Sequence, residues 1–406
     1  MPPNNLMTDK AQTYLQHLCV TIPNRRVGSE GNRAATDFFA GTVSAFGFDV
    51  TTPRFECIDW REAGADLTVG GVSFDGDLHV SPYSLGCQAR APLAIIASVA
   101  ELEAADLTGA IVLLRGEITK EPLMPKNFPF YNPEAHQHII HLLESRQPAA
   151  IIAATTRSPE LAGAVYPFPF IEDGDVDIPS VYVTEEAGGR LAEHAGDMAT
   201  LEIRAARRAA TGVNVIARKG ADPHRRVVLF AHIDAKDGTP GALDNASGVT
   251  VLLLLAELLA NYAGDLGIEI VALNGEDYYD NPGQRQYLSR NAGRFEEIVL
   301  GVNLDGVGYH RGRTAYSLYG CPPTLADPIH AAFDSYSTLI EGEPWYQGDH
   351  GIFLMHERPT LALTSELLME IMTEIVHTSR DKPEIVAADQ LVASARALRD
   401  LFLALT

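Results

Sequence analysis

The chain has 406 residues, 46% hydrophobic and 21% charged, a soluble globular composition too long for one ordinary core, which predicts two domains or one with an insertion. A formal net charge of −22 argues against holding nucleic acid or an anionic membrane by bulk charge. The apolar run from Val249 to Leu255 is too short to span a bilayer, and Met1-Pro2-Pro3-Asn4-Asn5 has no basic or apolar signal region, so a soluble cytoplasmic protein is expected.

In chain order, residues 8–53 read as helix, loop, helix and strand. The turn-rich segment Arg26-Val27-Gly28-Ser29-Glu30-Gly31-Asn32 leads into a helix over 33–46, where Ala35, Phe38, Phe39, Val43 and Phe46 recur at helical spacing. From 55 to 207 the pattern changes to short strands and proline-rich loops, with apolar strands at 110–114, 149–153 and 179–183 and a helix around 139–144. His136, His138 and His141 lie on that helix at i, i+2 and i+5, so they do not share a face and read as solvated rather than metal-binding. Cys19, Cys57, Cys87 and Cys321 are scattered without a C-x-x-C pair and predict free thiols.

From Gly212 onward, strands at 213–217, 227–230, 268–273, 298–302 and 360–363 alternate with helices at 247–260, near 284–290, and at 389–405. The last helix places Leu391, Val392, Ala395, Leu398 and Phe402 on one stripe. Apolar strands joined by helices predict an α/β fold, with a mainly parallel mixed sheet flanked by helices. The expected organisation is an N-terminal part of the main domain at 1–54, an inserted small β-rich α+β domain at 55–207, and the catalytic part at 208–406.

Open α/β sheets bind ligands beyond the carboxyl ends of their strands. His232 stands two residues after the strand ending at Phe230. Glu276 and Asp277 follow the strand ending at Leu273, and Asp305 follows the one ending at Val302. One such residue is usually a structural His or a helix-capping Asp; three in succession are hard to explain that way. Asp244-Asn245-Ala246-Ser247-Gly248 precedes a long apolar helix, where Asn245 or Ser247 can cap while Asp244 points elsewhere. Asp234 is placed to orient the His232 imidazole, and His377 comes from a loop before the last helix. Two histidines with three carboxylates suit two zinc-like divalent ions. The spare carboxylate, Glu276, is what metal-assisted hydrolysis needs as a general base.

The ordered segments Ala231-His232-Ile233-Asp234, Asp244 to Gly248, Asn274-Gly275-Glu276-Asp277, Asn303-Leu304-Asp305-Gly306 and His377-Thr378-x-x-Asp381 resemble the di-zinc exopeptidases of clan MH, metallopeptidase family twenty-eight. That family includes bacterial leucyl-type aminopeptidases and glutamate carboxypeptidase II. The likeness covers residues 212–406, and Gly348-Asp349-His350 is similar to the family's S-D-H segment. The loop from Arg26 to Asn32 is similar to the family's first segment, and residues 55–207 resemble the protease-associated domain that some members insert.

The resemblance implies that Asp244 bridges two metal ions, foremost Zn2+. His232 and Asp305 would complete one ion's ligands, and Asp277 and His377 the other's. It implies Glu276 as the base and Asp244–Asn245 as a candidate cis peptide. Asp277 stands where most relatives carry Glu, so the metal sits closer or the loop shifts. The family's usual oxyanion-stabilising Tyr is missing before His377, and Arg358 or Tyr346 is expected to take that role. An aminopeptidase acting on peptides is the leading expectation. A carboxypeptidase is the nearest alternative, with Arg285, Arg290, Arg311 or Arg313 holding the α-carboxylate. A glutaminyl-cyclase-like transferase or a non-catalytic binding relative follows, and the inserted domain would gate the cleft or mediate a homodimer.

Overall fold

The computed structural model describes residues 3–22, 24–129, 131–157 and 166–405. The chain divides into two compact units, Met1–Cys57 with Thr211–Thr406, and Ile58–Ala210.

Eight strands build the sheet of the first unit: β1 (Asp49–Thr51), β2 (Val215–Lys219), β3 (Asp222–His232), β4 (Leu266–Leu273), β5 (Ile298–Leu304), β6 (Thr314–Tyr319), β7 (Leu339–Glu341) and β8 (Thr360–Ser365). Their spatial order is β1-β2-β4-β3-β5-β8-β6-β7. The four central strands, β4-β3-β5-β8, are mutually parallel. Antiparallel pairs join β1 to β2, β2 to β4, and β6 to β8. The carboxyl ends of the four parallel strands therefore share one edge, and that edge carries the site.

Side chains alternate across a strand, so β3 feeds both faces of the sheet. Val227, Leu229 and Ala231 join one core cluster with α1 (Pro3–Gln16), α2 (Glu30–Ala45), α3 (Ser247–Leu258) and α6 (Ala388–Ala404). On α2, Ala35, Phe39 and Val43 recur every four residues and are wholly buried. Burial of each such Phe or Val stabilises by about 1.5–3 kcal/mol. On the other face Phe230 stacks on Phe353 with ring centroids 4.6 Å apart, and Tyr287 of α4 (Pro282–Arg290) meets Phe230 edge-on at 4.9 Å. Glu269, the one charged residue of β4, is wholly buried there. It accepts from the Tyr287 hydroxyl at 2.6 Å and from Arg218 Nε at 2.7 Å, which offsets its desolvation.

Among the described residues, elements outside the sequence expectation include β6, β7, α5 (Pro323–Phe333) and short helices at Gly351–Leu354 and Leu368–Glu374.

The second unit has its own sheet, in spatial order Val72–Ser73, Arg54–Val69, Met198–Val213, Cys87–Ile96, Ile111–Leu114, Ala150–Thr155, Ser180–Thr184 and His79–Val80. Helices Val99–Ala104, Glu134–Arg146 and Glu185–Ala192 accompany it, and two hydrophobic clusters form its core. On Glu134–Arg146, His136 Nδ1 accepts the Met124 N–H at 3.1 Å, His138 lies 2.9 Å from Glu103, and His141 is exposed. Among the described residues, no helix is long and apolar enough to cross a membrane.

Candidate metal centre

His232 is the last residue of β3, and the next amide, Ile233 N–H, still pairs with the Leu273 carbonyl of β4 at 2.8 Å. Asp305 follows β5, with its N–H on the Leu363 carbonyl of β8 at 3.0 Å. Glu276 and Asp277 lie three and four residues beyond the end of β4. His377 leaves the loop after Leu368–Glu374 with φ +58°, a left-handed conformation that few non-glycine residues adopt.

Asp244 sits in the irregular turn Ala242–Ala246, and the Asp244–Asn245 peptide is cis. The Asp381 carboxylate accepts the Leu243 and Asp244 N–H groups at 2.7 and 3.1 Å. Asn245 reaches the Leu304 carbonyl of β5 at 2.7 Å and accepts the Gly248 N–H at 3.0 Å. Asn245 is therefore the residue that caps α3, and Asp244 is left to face the strand ends.

The five residues meet in two groups about Asp244. Its Oδ1 lies 3.0 Å from His232 Nε2, and Asp305 Oδ1 lies 3.8 Å from the same nitrogen. Its Oδ2 lies 3.1 Å from His377 Nε2, which is 2.9 Å from Asp277 Oδ1. His232 Nδ1 lies 3.2 Å from the Asp234 carbonyl oxygen, which can only accept, so the ring proton belongs on Nδ1. Nε2 then presents a lone pair to carboxylate oxygens. It is buried and has no hydrogen-bond partner among the described residues. Lone pairs converging at this range need a proton or a metal cation between them, and with the ring neutral a cation fills that place. The ligand atoms of His232, Asp244 and Asp277 all lie within 4.8 Å of one another. The donor set of imidazole and carboxylate fits divalent cations.

Asp234 differs from the sequence expectation in how it acts. Its carboxylate is 3.7 Å from His232 Nδ1, beyond hydrogen-bond range, so its main-chain carbonyl orients the ring. The carboxylate instead accepts three consecutive amides: Gly275 at 2.7 Å, Glu276 at 3.3 Å and Asp277 at 3.0 Å. From the other side Asn281 Nδ2 donates to the Gly275 and Glu276 carbonyls at 2.8 and 2.9 Å. The turn bearing Glu276 is thus held through its amides and its carbonyls, leaving its side chain to face the cluster. Asp277 Oδ2 accepts the Lys236 N–H of the loop after β3 at 3.1 Å, while Oδ1 faces His377.

Burial pushes the Glu276 carboxyl well above the ordinary carboxylate range; His232 opposes the rise, while Asp277, Asp349 and Asp305 add to it. Burial alone would raise Asp244 too, but His232 and His377 hold it well below that range. Burial would lower both imidazoles, yet the surrounding carboxylates carry them well above the ordinary histidine value. The centre is a buried to half-buried cluster in which carboxyl groups outnumber imidazoles. Asp349 belongs to it: Gln284 Nε2 donates to it at 2.9 Å, and burial pushes its carboxyl up to about 7.

Arg358 is not among these residues. It precedes β8 at the amino end of that strand, where it pairs with Glu296 at 3.3 Å, and Glu296 precedes β5 at its amino end. The length of β5 separates that pair from Asp305, so Arg358 stands at the opposite edge of the sheet. Tyr346 is 74% exposed and lies edge-on to Tyr319. Three of the arginines considered for a carboxylate pocket are committed elsewhere: Arg285 to Asp280, Arg311 to Glu370 and Arg313 to Glu366. The roles of Asn281 and the Lys236 amide had no signal in the sequence, because both act on or through main chain.

Residues 214–402 match the model of peptidase family M28. The chain is 28% identical over 342 residues to probable leucine aminopeptidase 2 of Aspergillus fumigatus, covering 78% of this chain and 62% of the relative. It is 27% identical over 319 residues to probable lipoprotein aminopeptidase LpqL of Mycobacterium tuberculosis, covering 74% and 59%. The chain thus spans about three-fifths of the length of these relatives. In fold it resembles the aminopeptidase from Aneurinibacillus sp. strain AM-1, with a TM-score of 0.74 and 20% identity over 97% of this chain and 93% of that one. It also resembles BSAP, a zinc aminopeptidase from Bacillus subtilis, with a TM-score of 0.72 and 21% identity over 98% and 95%.

Proposed function

We propose that this chain, which carries a peptidase family M28 domain over residues 214–402, is a zinc-dependent aminopeptidase that removes N-terminal residues from peptides. The observation that carries the reading is Asp244, with one carboxylate oxygen toward His232 and the other toward His377. In this reading His232, Asp305 and Asp244 hold one ion, and Asp277, His377 and Asp244 hold the other. Zinc and the amino-terminal direction are supported by the names of the relatives and of the structural neighbours. When bound, paired divalent cations supply Lewis acidity at the scissile carbonyl and a lowered pKa for the attacking water. Glu276 takes the proton from that water and passes it to the departing amine. Asp234 and Asn281 keep the turn of Glu276 fixed through both steps. We read the inserted unit as similar to a protease-associated domain, which its separate sheet and core support.

The test is a peptide-ladder digest followed by mass spectrometry, with protein stripped by chelator and reloaded with zinc. Shortening from the amino end, abolished by chelator and restored by zinc, is the expected result. Shortening from the carboxyl end overturns the direction, and cleavage indifferent to chelator overturns the metal reading.

A further inference from the structure

Arg25 is among the largest fully buried side chains of the molecule, at 1% exposure. Its Nε donates to the Ile233 carbonyl at 3.0 Å. One terminal nitrogen donates to Leu18 at 2.8 Å and Pro240 at 2.9 Å, and the other to Gly241 at 2.7 Å. All four oxygen partners are main-chain carbonyls, and among the described residues no carboxylate bonds it. An unpaired buried cation is costly, and a fork of donors is the group suited to several carbonyls at fixed angles. Three of the four carbonyls belong to the ligand segments. Ile233 lies between His232 and Asp234, and Gly241 opens the turn that delivers Asp244. The guanidinium thereby pins both ends of the loop over residues 233–241, whose Lys236 amide holds Asp277. Gly241 has φ +59°, and a Cβ there would stand 2.8 Å from the guanidinium and 2.5 Å from the Asp244 carbonyl. The close approach therefore requires glycine.

We infer that Arg25 is a positioning residue of the metal centre: by bonding the Ile233, Pro240 and Gly241 carbonyls it sets the spacing between the His232 segment and the Asp244 turn, and so the affinity for divalent cation. This rests on reading the cluster as a two-cation centre. Lysine at this position keeps the charge but cannot span carbonyls on both segments. The experiment strips the full chain and its Arg25→Lys and Arg25→Ala variants with chelator. Zn2+ affinity is then measured by competition with a chromophoric chelator, and the melting of each stripped protein is followed by circular dichroism. Arg25→Lys is expected to bind zinc about 10- to 100-fold more weakly, as for other residues that orient ligands, at a temperature where the stripped protein is still folded. Guanidinium ion added to Arg25→Ala is expected to recover part of the lost affinity; if that variant does not fold, Arg25→Lys alone decides. Zinc affinity within twofold of wild type in Arg25→Lys overturns the inference. So does guanidinium that raises the melting temperature of Arg25→Ala without tightening zinc binding, since that marks a purely structural staple. Failure of the wild type itself to bind zinc refutes the functional reading instead, and is seen before any variant is compared.

Discussion

Replacing Asp234 with Asn separates two roles that the sequence could not tell apart. If the carboxylate served mainly to orient His232, its loss would release metal and leave the rest of the fold intact. The structure assigns that task to the Asp234 carbonyl and gives the carboxylate three amides, those of Gly275, Glu276 and Asp277. Asparagine keeps one acceptor oxygen, which can serve Gly275 and Glu276, and turns an NH2 toward the Asp277 amide. One charge-assisted bond is lost, at about 1.5–3 kcal/mol, and a buried N–H is left facing another donor, at about 1–3 kcal/mol. The expected destabilisation is about 4 kcal/mol, which for a unit of this size lowers the melting temperature by about 8 °C. The assay is thermal unfolding in chelator, paired with zinc content and kcat of reloaded protein. The melting temperature and kcat are expected to fall together, because the turn carrying Glu276 and Asp277 loosens at the Asp277 amide, while His232 keeps its partner and zinc binding is weakened but not lost. Loss of zinc with an unchanged melting temperature would refute the reasoning.

Glu276→Gln preserves every bond that holds the turn, since all of them use main-chain atoms, and removes only the proton acceptor. We expect kcat to fall by about 10²- to 10⁴-fold with zinc content unchanged, and a fall of less than about tenfold assigns the base elsewhere. Arg358→Ala should leave kcat and KM within about twofold, because the side chain lies at the far edge of the sheet and exposed ion pairs contribute little; a large drop in kcat would place it back at the site. Burial pushes His350 down to about 4, with its Nε2–H on the Trp345 carbonyl at 2.9 Å. A depressed histidine contributes stability above its unfolded value, near 6.5, that is lost as pH falls through about 4. Its imidazole NMR signals should accordingly titrate near 4, and a midpoint near 6.5 contradicts the buried neutral ring.

Much of the fold was legible because the central strands are buried on both faces. Residues 268–273 and 298–302, which form most of β4 and β5, therefore read as near-continuous apolar runs, each followed by polar residues. The elements that escaped are short or disguised. β7 has three residues, too few for any period. α5 begins at consecutive prolines and carries Pro328 inside, so residues that normally end helices hide it. Placing an oxyanion group failed at Arg358 because adjacency to a strand does not say which end of that strand faces the site.

The sequence by itself pointed to the side chains proposed to hold metal and to the strand ends that carry most of them. Strand direction and side-chain alternation are local properties of the chain, and each candidate ligand lies within a few residues of the strand or helix that positions it. Only the tertiary structure decided how those residues are held: Asp234 on the Gly275–Asp277 amides, Asp381 on the Asp244 turn, and Arg25 joining segments more than two hundred residues apart. Those contacts run largely through backbone groups that every residue possesses. A bond between a side chain and a distant carbonyl or amide leaves no periodicity or composition in the sequence, and it exists only once the chain has brought the two together.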